Sequence, residues 1–147
     1  MDVLGLPLHP LIVHAAVILV PLAALGALTI VVSARARARF GTLVAGVAVV
    51  AAASAFAAML TGPLLADEIG VAGSTRIARH QQFGTWTPWP TLVLALAVPL
   101  HLWVRRPGGE RGAAAVLVGG VIVVASLAAL VLIVLTGHAG ATAVWGS

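Results

Sequence analysis

The stretch Leu8 to Val32 reads LHPLIVHAAVILVPLAALGALTIVV, with no charged residue, histidines at His9 and His14, and prolines at Pro10 and Pro21. A helix needs about 20 apolar residues to cross a bilayer, and this run is long enough. It is too long for the core of a secretory signal, and Met1 to Pro7 brings no basic leader. It therefore reads as a retained span. Pro10 suits the first helical position, where its missing N–H would be unpaired anyway, and Pro21 should kink the middle. Similar runs follow, so the expected spans are roughly 8–32, 41–60, 83–104 and 113–135.

Composition agrees. Of 147 residues, 61% are apolar and only 8% charged, and the mean hydropathy is +1.14. A globule of this size has no interior large enough for that much apolar surface. The composition excludes a soluble enzyme and a disordered chain. It predicts an all-α integral membrane protein, a four-helix bundle forming a single domain over residues 1–147. Cysteine is absent, which excludes disulfides, thiolate metal sites, iron–sulfur clusters and a cysteine nucleophile. All eight basic residues are arginines. They do not form one continuous basic face, so the high pI does not point to nucleic acid.

Local signals set the expected helix ends. Arg35, Arg37 and Arg39 stop the first span, and Thr61-Gly62-Pro63 stops the second. A loop from Leu64 to Gly73 carries Asp67 and Glu68, and Ser74 or Thr75 caps the next helix. Pro88, Pro90 and Pro99 break the regularity of the third run, and the fourth ends at Thr136-Gly137-His138. Trp86 and Trp89 mark one membrane interface and Trp103 the other. Six arginines fall in the connections after the first and third spans, against Arg76 and Arg79 on the opposite side. The arginine bias predicts both termini outside the cytoplasm of a multi-pass protein.

The halves resemble each other. Leu60-Thr61-Gly62 and Leu135-Thr136-Gly137 end the second and fourth runs, 75 residues apart. Each half would be a histidine near an outer helix end, an arginine turn and a returning helix, giving two parallel hairpins related by an axis along the membrane normal. Ala48, Ala52, Ser54 and Ala58, and Gly112, Gly119, Gly120 and Ala125, mark expected packing faces. Thr61, Thr136, Ser54 and Ser126 should bond back to their own helix carbonyls.

Five histidines in so apolar a chain carry the chemical signal. His9, His14, His80 and His138 map to the outer ends of their helices. His101 maps to the other end and reads as interfacial. His14 lies about 7.5 Å deeper than His9 and is turned by about 140°. Within an apolar run, an ionisable side chain is expected to face the bundle. Imidazole is a metal ligand and a proton carrier. The set fits axial ligation of haem by two histidines, a zinc or copper site, a proton relay using Asp67 or Glu68, or histidines that only cap helices. Asp67 and Glu68 are either second partners of the histidines or surface partners of Arg76 and Arg79. No catalytic triad or phosphate-binding glycine loop is present.

Leu6-Pro7-Leu8-His9-Pro10-Leu11-Ile12-Val13-His14 resembles the opening of a bacterial membrane family catalogued as domain of unknown function 2231. The Thr-Gly ending of the second helix, the histidine of the third and Gly137-His138-Ala139-Gly140 fit the same pattern, which covers essentially the whole chain. The family ending usually runs on to an aromatic, often tyrosine. Trp145 stands there instead and removes any case for a redox tyrosine. The resemblance implies fold more than activity. Some relatives are joined to Rieske-type or cytochrome c modules, which implies electron transfer in a bacterial cytoplasmic membrane.

The resulting expectation is a redox carrier or accessory subunit rather than a self-contained enzyme. It would bind haem b, or alternatively zinc or copper, through His9, His14, His80 and His138, with His14 paired to His80 or His138 as the preferred axial set. Its partners would be the lipid bilayer, redox proteins or a quinone, and a second copy of itself. The alternatives are a non-catalytic assembly subunit of a larger membrane complex and a small-solute transporter. Against transport stands a central membrane region without charge.

Overall fold

The computed structural model describes residues 2–3, 6–106 and 112–145. Its helices are α1 (Leu8–Val32), α2 (Ala34–Glu68), α3 (Thr75–Trp86), α4 (Pro88–Val104) and α5 (Ala113–Trp145). A two-residue antiparallel pair, β1 (Asp2–Val3) with β2 (Leu6–Pro7), precedes α1. Among the described residues, four helical segments are long and apolar enough to cross a membrane: α1, α2, α5, and Ile77–Val104, which joins α3 to α4. The protein is an all-α membrane bundle, as its composition predicts.

The long helices form a ring in the order α1, α2, α4, α5, and α3 lies against α5. Small residues face inward. Ala23, Ala24, Ala27, Ala48, Ala51, Ala115 and Ala129 are fully buried, whereas Leu43, Leu117 and Val124 are exposed around the outside. Lipid tails are as apolar as leucine, so burying leucine against another helix brings little gain. Close backbone packing across small residues holds membrane helices together instead. Of the residues expected on packing faces, Ala48, Ala52, Gly119 and Ala125 are buried, but Gly112 and Gly120 are exposed.

Several helix ends differ from the sequence expectation. Ser33 alone separates α1 from α2, and its hydroxyl accepts the Ala36 N–H at 3.2 Å. Arg35, Arg37 and Arg39 therefore belong to the first turns of α2. That helix then runs through Gly62 and Pro63 to Glu68. A proline inside a membrane helix is tolerated where neighbouring helices and hydroxyls satisfy the backbone. Two residues earlier the Thr61 hydroxyl donates to the Ala57 carbonyl at 2.8 Å, a bond separate from the Met59 carbonyl that Pro63 leaves without its helical donor. α5 likewise continues through Gly137 and His138 to Trp145, because α3 offers it a packing surface.

The turn between α2 and α3 uses Gly70 and Gly73, at φ of 71° and 79°, where a side chain would be strained. Ser74 takes the N-cap position of α3 without a side-chain bond. Pro88 and Pro90 open α4 one residue after α3 ends, which explains the break at Thr87. With 35 and 33 residues, α2 and α5 are each about 50 Å long, against an apolar bilayer core of about 30 Å. Residues 61–68 and 136–145, together with α3, form a collar beyond the most apolar runs.

The packing gives a first expectation. Ala48→Leu forces α2 away from its neighbours and should lower stability by about 1–3 kcal/mol. Leu43→Ala, on the exposed face, should stay within about 0.5 kcal/mol. Thermal denaturation of the two variants in detergent checks both values.

A histidine pair at one end of the bundle

A cavity of about 280 Å³ lies inside the collar, walled by α1, α2, α3 and α5. Its lining is mostly apolar, including Val13, Met59, Ile77 and Ile133. His9 from α1 and His80 from α3 both line it.

Each ring is tethered through Nδ1. His80 Nδ1 lies 3.0 Å from the Thr136 carbonyl oxygen. A carbonyl can only accept, so Nδ1 carries the proton and neutral His80 has its lone pair on Nε2. His9 Nδ1 lies 2.9 Å from the Thr61 hydroxyl oxygen. While that hydroxyl donates its proton to Ala57, it accepts from His9, and the same tautomer follows. These protonation states are assigned from the partners of each ring.

Glycines make room for both rings. A Cβ on Gly62 would stand 3.2 Å from His9 Cε1, and one on Gly140 would stand 3.0 Å from His80 Nδ1. Thr136 also ties the collar to α4, with its hydroxyl 3.1 Å from that of Thr87. As the sequence suggests, the Thr61 and Thr136 hydroxyls bond back to their own helices.

The other sequence candidates lie elsewhere. His14 is exposed on the outside of α1, its Nδ1 2.6 Å from the Pro10 carbonyl. This corrects the expectation that it faces the bundle. His138 is exposed on α5 and does not line the cavity. The structure thus brings together His9 and His80 but not His14 or His138. Among the described residues, no group of three or more histidines and acids is placed to hold a metal ion. Asp67 and Glu68 are exposed at the end of α2, and the partners of both ring Nδ1 atoms are Thr61 and Thr136. Arg79 is exposed, and the Arg76 side chain lies outside the described residues.

His101 and Ser126 also depart from expectation. His101 is buried between helices: only 1% of it is exposed, and neither ring nitrogen has a hydrogen-bond partner. Ser126 is fully buried, and its hydroxyl makes no bond to its own helix.

Over residues 5–147 the chain matches the family described as predicted membrane protein (DUF2231). The chain belongs to that family. Neither the curated proteins nor the solved structures compared with it include a match. The signal for the histidine pair of this DUF2231 chain was present in spacing. His9, Val13, Ala16, Val20, Ala23, Ala27 and Ile30 follow alternating steps of four and three, which puts His9 on the packed stripe of α1 and His14 off it.

Nitrogen NMR of histidine-labelled protein should show His9 and His80 protonated at Nδ1 when neutral. Gly140→Val should displace the His80 ring and remove its signature while sparing that of His9. Gly137→Ala, with open space around its Cβ position, should change neither.

Proposed function

We propose that this membrane protein binds a redox ligand at its histidine end, and that the ligand is haem b, held through Nε2 of His9 and His80. The observation that carries the reading is two imidazoles from separate helices, each tethered at Nδ1, on one apolar cavity. Such tethers fix ring orientation and raise ligand basicity at the other nitrogen. Zinc takes three or four protein ligands, and no such set exists among the described residues. Haem iron needs only two axial ligands from the protein. When bound, haem would supply a one-electron couple. The chain's own part is to present two lone pairs and to keep water away with an apolar wall.

A second reading rests on the cavity size. At about 280 Å³ it lies just below the ordinary range for small-molecule pockets, about 300–1,000 Å³. It suits a single ring such as a quinol headgroup, whose hydroxyls would donate to the two Nε2 atoms.

Haem titration of the purified chain separates these readings. The first expects a low-spin spectrum, lost in His9→Ala and in His80→Ala and retained in His14→Ala and His138→Ala. No haem spectrum, together with quinol binding lost in the same two variants, would favour the second.

The arginine bias further supports a reading in which the cavity faces away from the cytoplasm of a bacterial cell. Because the chain has no cysteine, single cysteines report sidedness directly. Ala72→Cys should react with an impermeant maleimide on intact cells, and Arg39→Cys should react only after lysis.

A further inference from the structure

The end of the bundle opposite the cavity holds cations and unsatisfied donors, with no acid nearby among the described residues. α2 opens with Arg35, Arg37 and Arg39, at the helix end whose dipole disfavours positive charge. Arg35 and Arg39 are exposed, but Arg37 is half-buried. Its Nη1 donates to the Ile30 carbonyl at 2.8 Å. Arg105, at the end of α4, has a buried Nε without an acceptor. A guanidinium keeps its protons at any working pH, so that Nε–H always needs one.

One turn earlier on α4 is His101, buried and without a partner at either nitrogen. Val31 and Gly119 close around it: a Cβ on Gly119 would stand 3.7 Å from His101 Cε1 and 3.6 Å from Val31 Cγ1. Both Arg37 and Arg105 are near enough to act electrostatically on this ring. Among the described residues the acidic side chains, Asp67 and Glu68, end α2 at the far side of the bundle.

We propose that Arg37 and Arg105, above the buried His101, form a binding site for a phosphate group, carried by an anionic phospholipid or free in solution. A phosphate supplies several strong acceptor oxygens and negative charge together. Guanidinium forks match its geometry, and basic pockets between membrane helices are the usual place for such headgroups. The site differs from the cavity in residues, location and ligand charge.

Thermal unfolding of the full chain in detergent tests this, with dimyristoyl phosphatidylglycerol, dimyristoyl phosphatidylcholine or inorganic phosphate added. Phosphatidylglycerol should raise Tm by several degrees and phosphatidylcholine should not. A rise with phosphatidylglycerol alone assigns a lipid headgroup, and an equal rise with inorganic phosphate assigns a free anion. The Arg37→Gln, Arg105→Gln variant should lose the rise, measured against its own lipid-free Tm. The Arg35→Gln, Arg39→Gln variant should keep it. If the first variant does not fold, Arg37→Lys, Arg105→Lys takes its place and should bind phosphatidylglycerol about tenfold more weakly in native mass spectrometry. Equal rises with both lipids, a full rise in the first variant, undiminished binding by the lysine pair, or equal losses in the two glutamine variants would overturn the proposal.

Discussion

Close approach of helix backbones is the constraint on which the rest of this structure depends. Within lipid, side-chain hydrophobicity no longer selects which face of a helix turns inward. Selection falls to size. Alanine dominates where helices meet, with a few larger residues such as Val20, Leu94, Val98 and Ile122 filling the centre, while most valines and leucines are left outside. The stripe of α1 that ends at Ile30 begins at His9. On α5 the stripe through Gly119, Ile122, Ser126, Ala129 and Ile133 continues to Thr136 and Gly140. Packing deep in the bundle therefore fixes which polar groups reach the cavity several turns away.

The same constraint explains why two apparent helix stops fail. Gly62-Pro63 and Gly137-His138 would end helices in water. In this bundle Gly62 lies where the stripe passes from helix packing to ring packing, and Gly137-His138 lies off the stripe, just before Gly140. Gly62 receives His9 and Gly140 receives His80, so the glycines serve close approach. Helix continuation beyond them builds the collar, and the collar supplies the cavity walls. Without residues 61–68 and 136–145 in helical form, neither histidine would have its tether or its glycine seat.

The membrane class and the helix count were legible from the apolar runs alone, because spanning a bilayer leaves so few alternatives. Helix ends were less legible, since local stop signals compete with packing partners that appear only in three dimensions. The histidines show where legibility ended. Membrane depth placed His9, His14, His80 and His138 at one end but did not say which faced inward. Helical phase separates them, and it also places His101 inside: Thr87, Thr91, Leu94, Val98 and His101 share one face of α4. Chemistry-bearing residue type drew attention to His14, whereas phase relative to the small residues points to His9. The buried Ser126 hydroxyl without a partner has no explanation in this packing.

Both cavity histidines are tethered to a threonine residue, yet the tethers differ in kind, and the difference bears on function. His9 reaches the hydroxyl of a residue 52 positions ahead, and His80 reaches a backbone carbonyl 56 positions ahead. The carbonyl has no proton to give, so it holds His80 in one tautomer whatever the side chain at position 136. The Thr61 hydroxyl accepts from His9 only while its own proton stays with Ala57. If that proton turned toward the ring, His9 Nδ1 would become the acceptor and Nε2 the donor. His80 is thus the fixed half of the pair, and His9 is the half able to exchange a lone pair for a proton. Two tethers of similar sequence separation thus have unequal chemistry. A ligand needing two lone pairs would bind only one of the resulting states, while a ligand with both a donor and an acceptor would suit the other.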